Sequence, residues 1–216
     1  SLVLTCNIGL AEEIESLTVS AIPLNVNEAG SSVSIITKED IFARGLPSIQ
    51  SLLREVAGFA VSQQGSQGAV TQLRARGAEA NQILVLIDGV EANDIAQGSE
   101  FDFSQLSTSD IERIEIVRGP QSALWGSDAL AGVVHVVTSG LDQKESTQLM
   151  LETGSFSTKR VSGISQRNMG NHWVRISGDY RDSEGTNISR VGDEGDGFRN
   201  LNLGISGTWS FSDNAH

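Results

Sequence analysis

The sequence predicts an α+β domain followed by a run of antiparallel strands, and three observations carry that expectation. The first is the stretch RGPQSALWGSDALAGVVHVVTSG at 118–140. It reads as a strand end, a Gly-Pro turn, one short helical turn, a Gly/Ala-rich crossing and a second strand. Pro120 has no N–H to give to a ladder, so the strand before it stops near Arg118. Gly126 and Gly132 bracket a segment that has to bend or admit another backbone. Val133, Val134, Val136 and Val137 then form an apolar run with His135 inside it. The second observation is composition: 23 Gly against 3 Pro suits strands joined by bends better than a helical bundle. The third is the change of character after Gly140. Strand candidates at 148–152, 161–166, 173–180 and 201–211 follow one another there, with Ser, Thr, Gly, Asn and Arg at the polar positions.

The elements follow in order. Residues 1–11, SLVLTCNIGLA, are uncharged and largely apolar. They fall short of the about 20 residues a spanning helix needs. They are expected to be the remnant of a secretory signal peptide, with Gly9-Leu10-Ala11 as its small-residue exit, the alternative being a buried N-terminal strand. Cys6 is the only cysteine, so no disulfide framework is available. Residues 12–30 read as an extended arm in which Glu15-Ser16-Leu17-Thr18-Val19-Ser20-Ala21 alternates apolar and hydroxylated side chains up to Pro23, a strand signal.

A strand at 33–37 leads into Thr37-Lys38-Glu39-Asp40, a helix cap with Asp40 in the reciprocal position. A second helix, from Pro47 or Ser48 to Val56, puts Ile49, Leu52, Leu53 and Val56 on one face and stops at Gly58. Strands at 59–64 and 71–76 flank the loop Gln64-Gly65-Ser66-Gln67-Gly68. A strand at 82–87 meets the hairpin signal Asp88-Gly89 and resumes at Val90. A polar loop at 91–100 and a turn opened by Ser109 or Asp110 precede a strand, with Ile114 and Ile116, that runs to Arg118.

Chemistry is sparse. Fifteen Lys and Arg against 27 Asp and Glu give a formal net charge of −12, which repels nucleic-acid phosphates, and no basic cluster opposes it. His135, His172 and His216 lack metal-ligand spacing, and His135 reads as a structural hydrogen-bonder. No nucleophile elbow, P-loop or dinucleotide fingerprint is present, so the chain is not read as an enzyme.

The motifs together carry a resemblance. Arg118-Gly119-Pro120, Ser122-Ala123, Trp125-Gly126 and the strand 132–138 resemble the end of the plug domain of TonB-dependent outer-membrane receptors. Arg76-Gly77, Asp88-Gly89-Val90 and Ile111-Glu112-Arg113-Ile114-Glu115 are further landmarks, and the likeness covers 15–140. Three departures stand inside it: Ala131 for the usual Gly, His135 for Asn, and Ala57 for Pro. The resemblance implies four segments: a signal-peptide remnant at 1–11, a periplasmic arm with a TonB box at 12–30, a plug domain at 31–140 and the first strands of a transmembrane β-barrel at 141–216. A barrel of this kind has about 22 strands, so it would be incomplete here. Aromatic residues at only 5% suit a chain that is mostly plug. Trp173, Tyr180, Trp209 and Phe211 are candidates for interface aromatics.

The function implied is TonB-dependent active uptake of a large scarce nutrient across the bacterial outer membrane. That membrane has no ATP and no usable ion gradient, so energy arrives mechanically. TonB, with its inner-membrane energising complex, would grip Glu15, Ser16, Leu17, Thr18, Val19, Ser20 and Ala21 by adding a strand. Arg76 and Arg118 would face carboxylates of the inner barrel wall in ion pairs that can be broken stepwise. The other partners implied are outer-membrane lipid and a corrinoid or metal-chelate ligand. The ligand-touching apex loops match 63–72 and 91–99, where Gln64, Ser66, Gln67, Asn93, Gln97 and Ser99 offer neutral polar groups. Neither loop has an Arg, Lys or aromatic for an anionic ferric siderophore. That absence favours cobalamin or another corrinoid, and the likeness is greatest to the cobalamin receptors of the family. No covalent cofactor is implied. The acidic loop at 191–198 resembles a calcium loop of those receptors, with Asp193, Asp196, Glu194 and Asn187 as candidate ligands. The alternatives are a ferric-siderophore or haem receptor and, from another class, a non-transporting adhesin or surface binding module, which would need no energy-coupling strand.

Overall fold

The computed structural model describes residues 16–17, 24–25, 32–44, 48–138, 145–188, 192 and 195–209. The chain divides into two compact units at Thr138/Ser139. The leader remnant and most of the arm lie outside the described residues. Within the arm, β1 (Ser16–Leu17) and β2 (Leu24–Asn25) pair antiparallel, Leu17 opposite Leu24.

The first unit then runs through β3 (Ser32–Thr37), α1 (Lys38–Arg44), α2 (Ile49–Arg54), β4 (Phe59–Gln63), β5 (Thr71–Ala75), β6 (Ile83–Ile87), β7 (Val90–Glu91), β8 (Ile111–Arg118), α3 (Ser122–Trp125) and β9 (Gly132–Thr138). Five strands form one mixed sheet in the order β3-β8-β9-β6-β7, in which β6 and β9 are parallel; β4 and β5 form a separate hairpin. The expected cap opens α1: Asp40 N donates to Thr37 Oγ1 at 3.2 Å and Thr37 N donates to Asp40 Oδ2 at 3.1 Å. Two orphan donors of the first turn are thereby satisfied. The second helix is shorter than its apolar pattern, because Glu55 already caps it; Val56 is still buried. The Asp88-Gly89 turn joins β6 to β7 with φ of 50° and 82°, the doubly positive geometry of a type I′ hairpin.

The sheet is buried on both faces, which explains the unbroken apolar run of β6. Ile83 and Val85 of β6, Ile114 and Ile116 of β8 and Val134 and Val136 of β9 join Ile41, Ile49, Leu52, Leu53, Val56, Leu73 and Phe103 in the main core. On the other face Leu84, Leu86, Val117 and Val133 cluster with Ala129. Leu52 and Leu53 are almost fully enclosed, and truncating either to Ala would cost about 2–5 kcal/mol. Gly132 lets β9 start against β8: a Cβ there would lie 2.5 Å from the Val117 carbonyl oxygen. Ala131 has no positive φ, so the Gly usual in the family is not needed at that position.

The second unit is an antiparallel meander of β10 (Ser146–Thr153), β11 (Lys159–Asn168), β12 (His172–Ser183) and β13 (Phe198–Trp209). Register sorts its residues by face. Leu149, Leu151, Val161, Ile176, Tyr180, Leu201, Leu203 and Ile205 share one face and are exposed. Arg160, Ser162, Gln166, Arg175 and Asp179 share the other and are buried. There Arg160 Nε donates to Asp179 Oδ2 at 2.8 Å, with Glu152 3.8 Å from the same guanidinium. Apolar outside and polar inside is the pattern of a membrane barrel wall. Trp173 corrects one expectation. Its odd number places it with Arg175, opposite Tyr180, so it is not an aromatic of the lipid face. Phe211 lies outside the described residues. Among the described residues no helix is long and apolar enough to cross a membrane.

Candidate functional site

Two loops of the first unit emerge from a shared base. The 64–70 loop leaves β4 at Gln63 and enters β5 at Thr71; the 91–100 loop leaves β7 and ends at Glu100. Thr71 N donates to Asp102 Oδ1 at 2.9 Å, and Gln72 Nε2 bonds to Glu100 Oε2. Asp102 also accepts from Ser104 N and Ser104 Oγ, so one carboxylate ties both loop bases to the next turn. The apex residues named from the sequence are therefore drawn to one end of the unit.

Their roles differ. Gln64 and Gln97 are exposed. Ser66 is partly enclosed and its carbonyl accepts from Gln63 Nε2 at 2.7 Å, while Gln67 is held within the same short loop. Asn93 is an anchor. Its Oδ1 accepts from Val85 N at 2.7 Å, and its Nδ2 donates to the carbonyls of Ile83 at 3.0 Å and Ser99 at 2.8 Å. The amide thus prolongs the edge of β6 where β7 ends. Ser99 takes a φ of 61° and its N donates to the Asp94 carbonyl at 2.9 Å. Asp94 caps the turn Ile95–Gln97 through Ala96 N. This loop presents Ile95, 85% exposed, and β7 before it exposes Val90 at 70%. The sequence pattern places Val90 in a strand and does not single out Ile95. A lone apolar residue inside a polar loop is a weak signal, because single exposed apolar side chains are common on protein surfaces.

At the far end of the β4–β5 hairpin stand the two arginines. Arg118 Nη1 donates to Ser32 Oγ at 2.9 Å and Nη2 to Ser34 Oγ at 2.5 Å, while its Nε is buried with no partner among the described residues. Arg76 is close by: Gly58 has Arg118 Cδ and Arg76 Nε at equal range, 3.8 Å from where its Cβ would lie. Burial, and then the neighbouring Arg76 charge, pull the Arg118 pKa down from its ordinary value. Two guanidinium groups thus stand side by side, and among the described residues the side-chain partners of Arg118 are the Ser32 and Ser34 hydroxyls.

His135 is a structural hydrogen-bonder, as expected. Its Nε2 accepts from Gly89 N at 3.0 Å, which puts the ring proton on Nδ1, facing Glu115 Oε2 at 3.4 Å. Glu115 in turn accepts from Arg113 Nε at 2.8 Å. Asp88 closes the same turn, its two oxygens accepting from Thr138 N at 2.8 Å and Thr138 Oγ1 at 2.7 Å. The His thus bridges the hairpin turn and the core of β8.

Of the TonB-box residues, only Ser16 and Leu17 are described, as β1; Glu15, Thr18, Val19, Ser20 and Ala21 lie outside the described residues. Of the calcium candidates, Asp193 and Glu194 lie outside them too. Asp196 Oδ2 accepts from Ile188 N at 2.8 Å, and Asn187 Nδ2 donates to the Gly192 carbonyl at 2.5 Å, so both stand in the loop between β12 and β13. Among the described residues no three His, Cys, Asp or Glu side chains converge as a metal cluster.

A mixed-sheet domain with paired loops at one end and two adjacent arginines at the other, followed in sequence by strands apolar on one face, is the architecture of a plug domain leading into the first strands of an outer-membrane barrel. The family model of the TonB-dependent receptor plug domain matches residues 25–133, and the chain belongs to the TonB-dependent receptors, non-enzymatic proteins of the outer membrane. The vitamin B12 transporter BtuB of Vibrio vulnificus (strain CMCP6) is 35% identical over 162 residues, which is 74% of this chain and 26% of that protein. Among solved structures, the siderophore receptor PiuA of Acinetobacter baumannii has a TM-score of 0.70 at 20% identity, covering 90% of this chain and 27% of that one. The ferric enterobactin receptor PfeA of Pseudomonas aeruginosa, as its R480A mutant, has a TM-score of 0.67 at 22% identity, covering 86% and 32%. The chain spans about a quarter to a third of the length of these relatives.

Proposed function

We propose that this chain is the N-terminal part of a receptor that takes up cobalamin or a related corrinoid, driven by TonB. The observation that carries the substrate is the 35% identity to a vitamin B12 transporter. The siderophore receptors resemble it in fold at 20–22% identity. The apex loops agree with this choice: they offer Gln64, Ser66, Gln67, Gln97 and the exposed Ile95, with no cation or aromatic for an anionic chelate. A large neutral ligand with amide side chains matches such a surface through hydrogen bonds and apolar contact. Asn93 serves that surface by fixing the loop.

In this reading, ligand seats on the apex, and TonB takes residues 15–21 as an added strand and pulls. Arg76 and Arg118 pair with barrel-wall carboxylates that lie beyond this chain. Such pairs hold the plug while each guanidinium contact can be exchanged in turn. The 184–197 loop holds calcium through Asp193, Glu194, Asp196 and Asn187. Carboxylate and amide oxygens are the hard donors that ion takes, and the bond from Ile188 N fixes the Asp196 carboxylate. The test is equilibrium binding of cyanocobalamin and of a panel of ferric siderophores to the full-length receptor. Saturable binding of cyanocobalamin alone is the expected result; binding of a siderophore alone overturns the corrinoid assignment and favours the ferric-siderophore reading.

A further inference from the structure

The exposed face of the meander ends in a row of charges. Lys159 of β11, Asp182 of β12 and Arg199 of β13 lie opposite one another across three adjacent strands, on the same face as Val161, Tyr180 and Leu201. Arg199 Nε donates to Asp182 Oδ2 at 2.6 Å, and Tyr180 OH donates to the same oxygen at 3.2 Å. The Arg199 side chain remains 75% exposed. Two cations flank one carboxylate, about 10 Å apart at the spacing of strands. The row therefore carries one net positive charge in a chain whose net charge is −12.

Its height on the wall is also defined. From Val174, level with Arg167, to Asp182 the chain rises eight residues along β12. That is about 27 Å along the strand and about 20 Å across the membrane at the usual tilt, close to the depth of an apolar band. The row lies at the end that carries the 184–197 loop, whereas the other end of β11 and β12 is closed by the short 169–171 turn. Long loops mark the outer side of such barrels.

We propose that Lys159 and Arg199, with Tyr180 beneath them, form a headgroup site on the barrel's outer wall for the phosphate-bearing glycolipid of the outer leaflet. The acyl chains lie on Leu201, Leu203 and Ile205. The proposal rests on the barrel reading of this unit. Charge complementarity selects the occupant: Asp182 orients Arg199 and neutralises only one of the two cations, leaving charge for phosphate.

The test uses delipidated full-length receptor in detergent, offered bisphosphoryl lipid A, dephosphorylated lipid A or phosphatidylglycerol, with bound lipid counted by native mass spectrometry. Wild-type receptor is expected to prefer bisphosphoryl lipid A. The double variant Lys159→Gln, Arg199→Gln should lose on the order of tenfold in that binding, and Arg167→Gln, at the opposite rim, should keep it. Asp182→Asn adds net positive charge to the row and should tighten binding, an effect a purely structural salt bridge would not give. Equal binding of the dephosphorylated lipid, a preference for phosphatidylglycerol, or unchanged binding in the double variant overturns the site. Absence of the receptor from the outer-membrane fraction would instead refute the barrel reading itself.

Discussion

Asn93 gives the sharpest test of how the apex loop is held. Its amide meets three backbone groups of β6 and the loop end, at 2.7, 3.0 and 2.8 Å. Val85 is 1% exposed, and its N–H points to the edge where β7 has already ended. In Asn93→Ala that donor is left without a partner, at about 1–3 kcal/mol, and two carbonyls lose a bond of about 0.5–1 kcal/mol each. A local loss of at least about 2 kcal/mol corresponds to roughly 30-fold faster opening. Hydrogen exchange on the full-length receptor, read on peptides covering 83–87, should show that acceleration at Val85, with little change in β8. Ligand affinity should fall with it, because Ile95 and Gln97 ride on the same loop. Asn93→Asp keeps the acceptor for Val85 N but sets a carboxylate oxygen against two carbonyls, so it should be no better than Ala. Unchanged exchange at Val85 in both variants would refute the anchoring argument.

Three further outcomes are expected. Leu17→Pro in the full-length receptor should abolish energy-dependent uptake and leave surface binding intact, because Pro removes a main-chain donor from the strand TonB would add; Leu17→Ala should transport better than the Pro variant, and normal uptake by the Pro variant would sink the TonB-box assignment. Asp193→Asn with Asp196→Asn should lower ligand affinity to the level wild type shows in chelator; if calcium, chelator and the double variant all give one affinity, the calcium loop is wrong. Gly132→Ala should lower the plug's stability by about 1–3 kcal/mol, since its Cβ would meet the Val117 carbonyl at 2.5 Å; a melting curve identical to wild type would count against the close approach.

Local signals in the sequence determined most of the plug's elements. The Thr37/Asp40 cap, the Asp88-Gly89 turn and the stop at Pro120 each depend on residues within a few positions, so the chain specifies them without tertiary help. The alternation of the last four strands was faint because Ser, Gly and Thr fill both faces; pairing in register was needed to gather Leu149, Leu151, Ile176, Leu201 and Leu203 on one side and to move Trp173 to the other. The bracing of β6 by Asn93 could not be read from residue type, because hydrogen bonds between β6 and a loop eight to ten residues away in sequence exist only once the hairpin has formed. His135 was legible as structural from its strand, yet its partners Gly89 and Glu115 come from 46 and 20 residues away. The nearness of Arg76 to Arg118 was likewise set by the fold, since the end of β5 and the end of β8 meet only around Gly58. Short-range capping and turn chemistry is written in the sequence; long-range register and the pairing of charges are decided by packing.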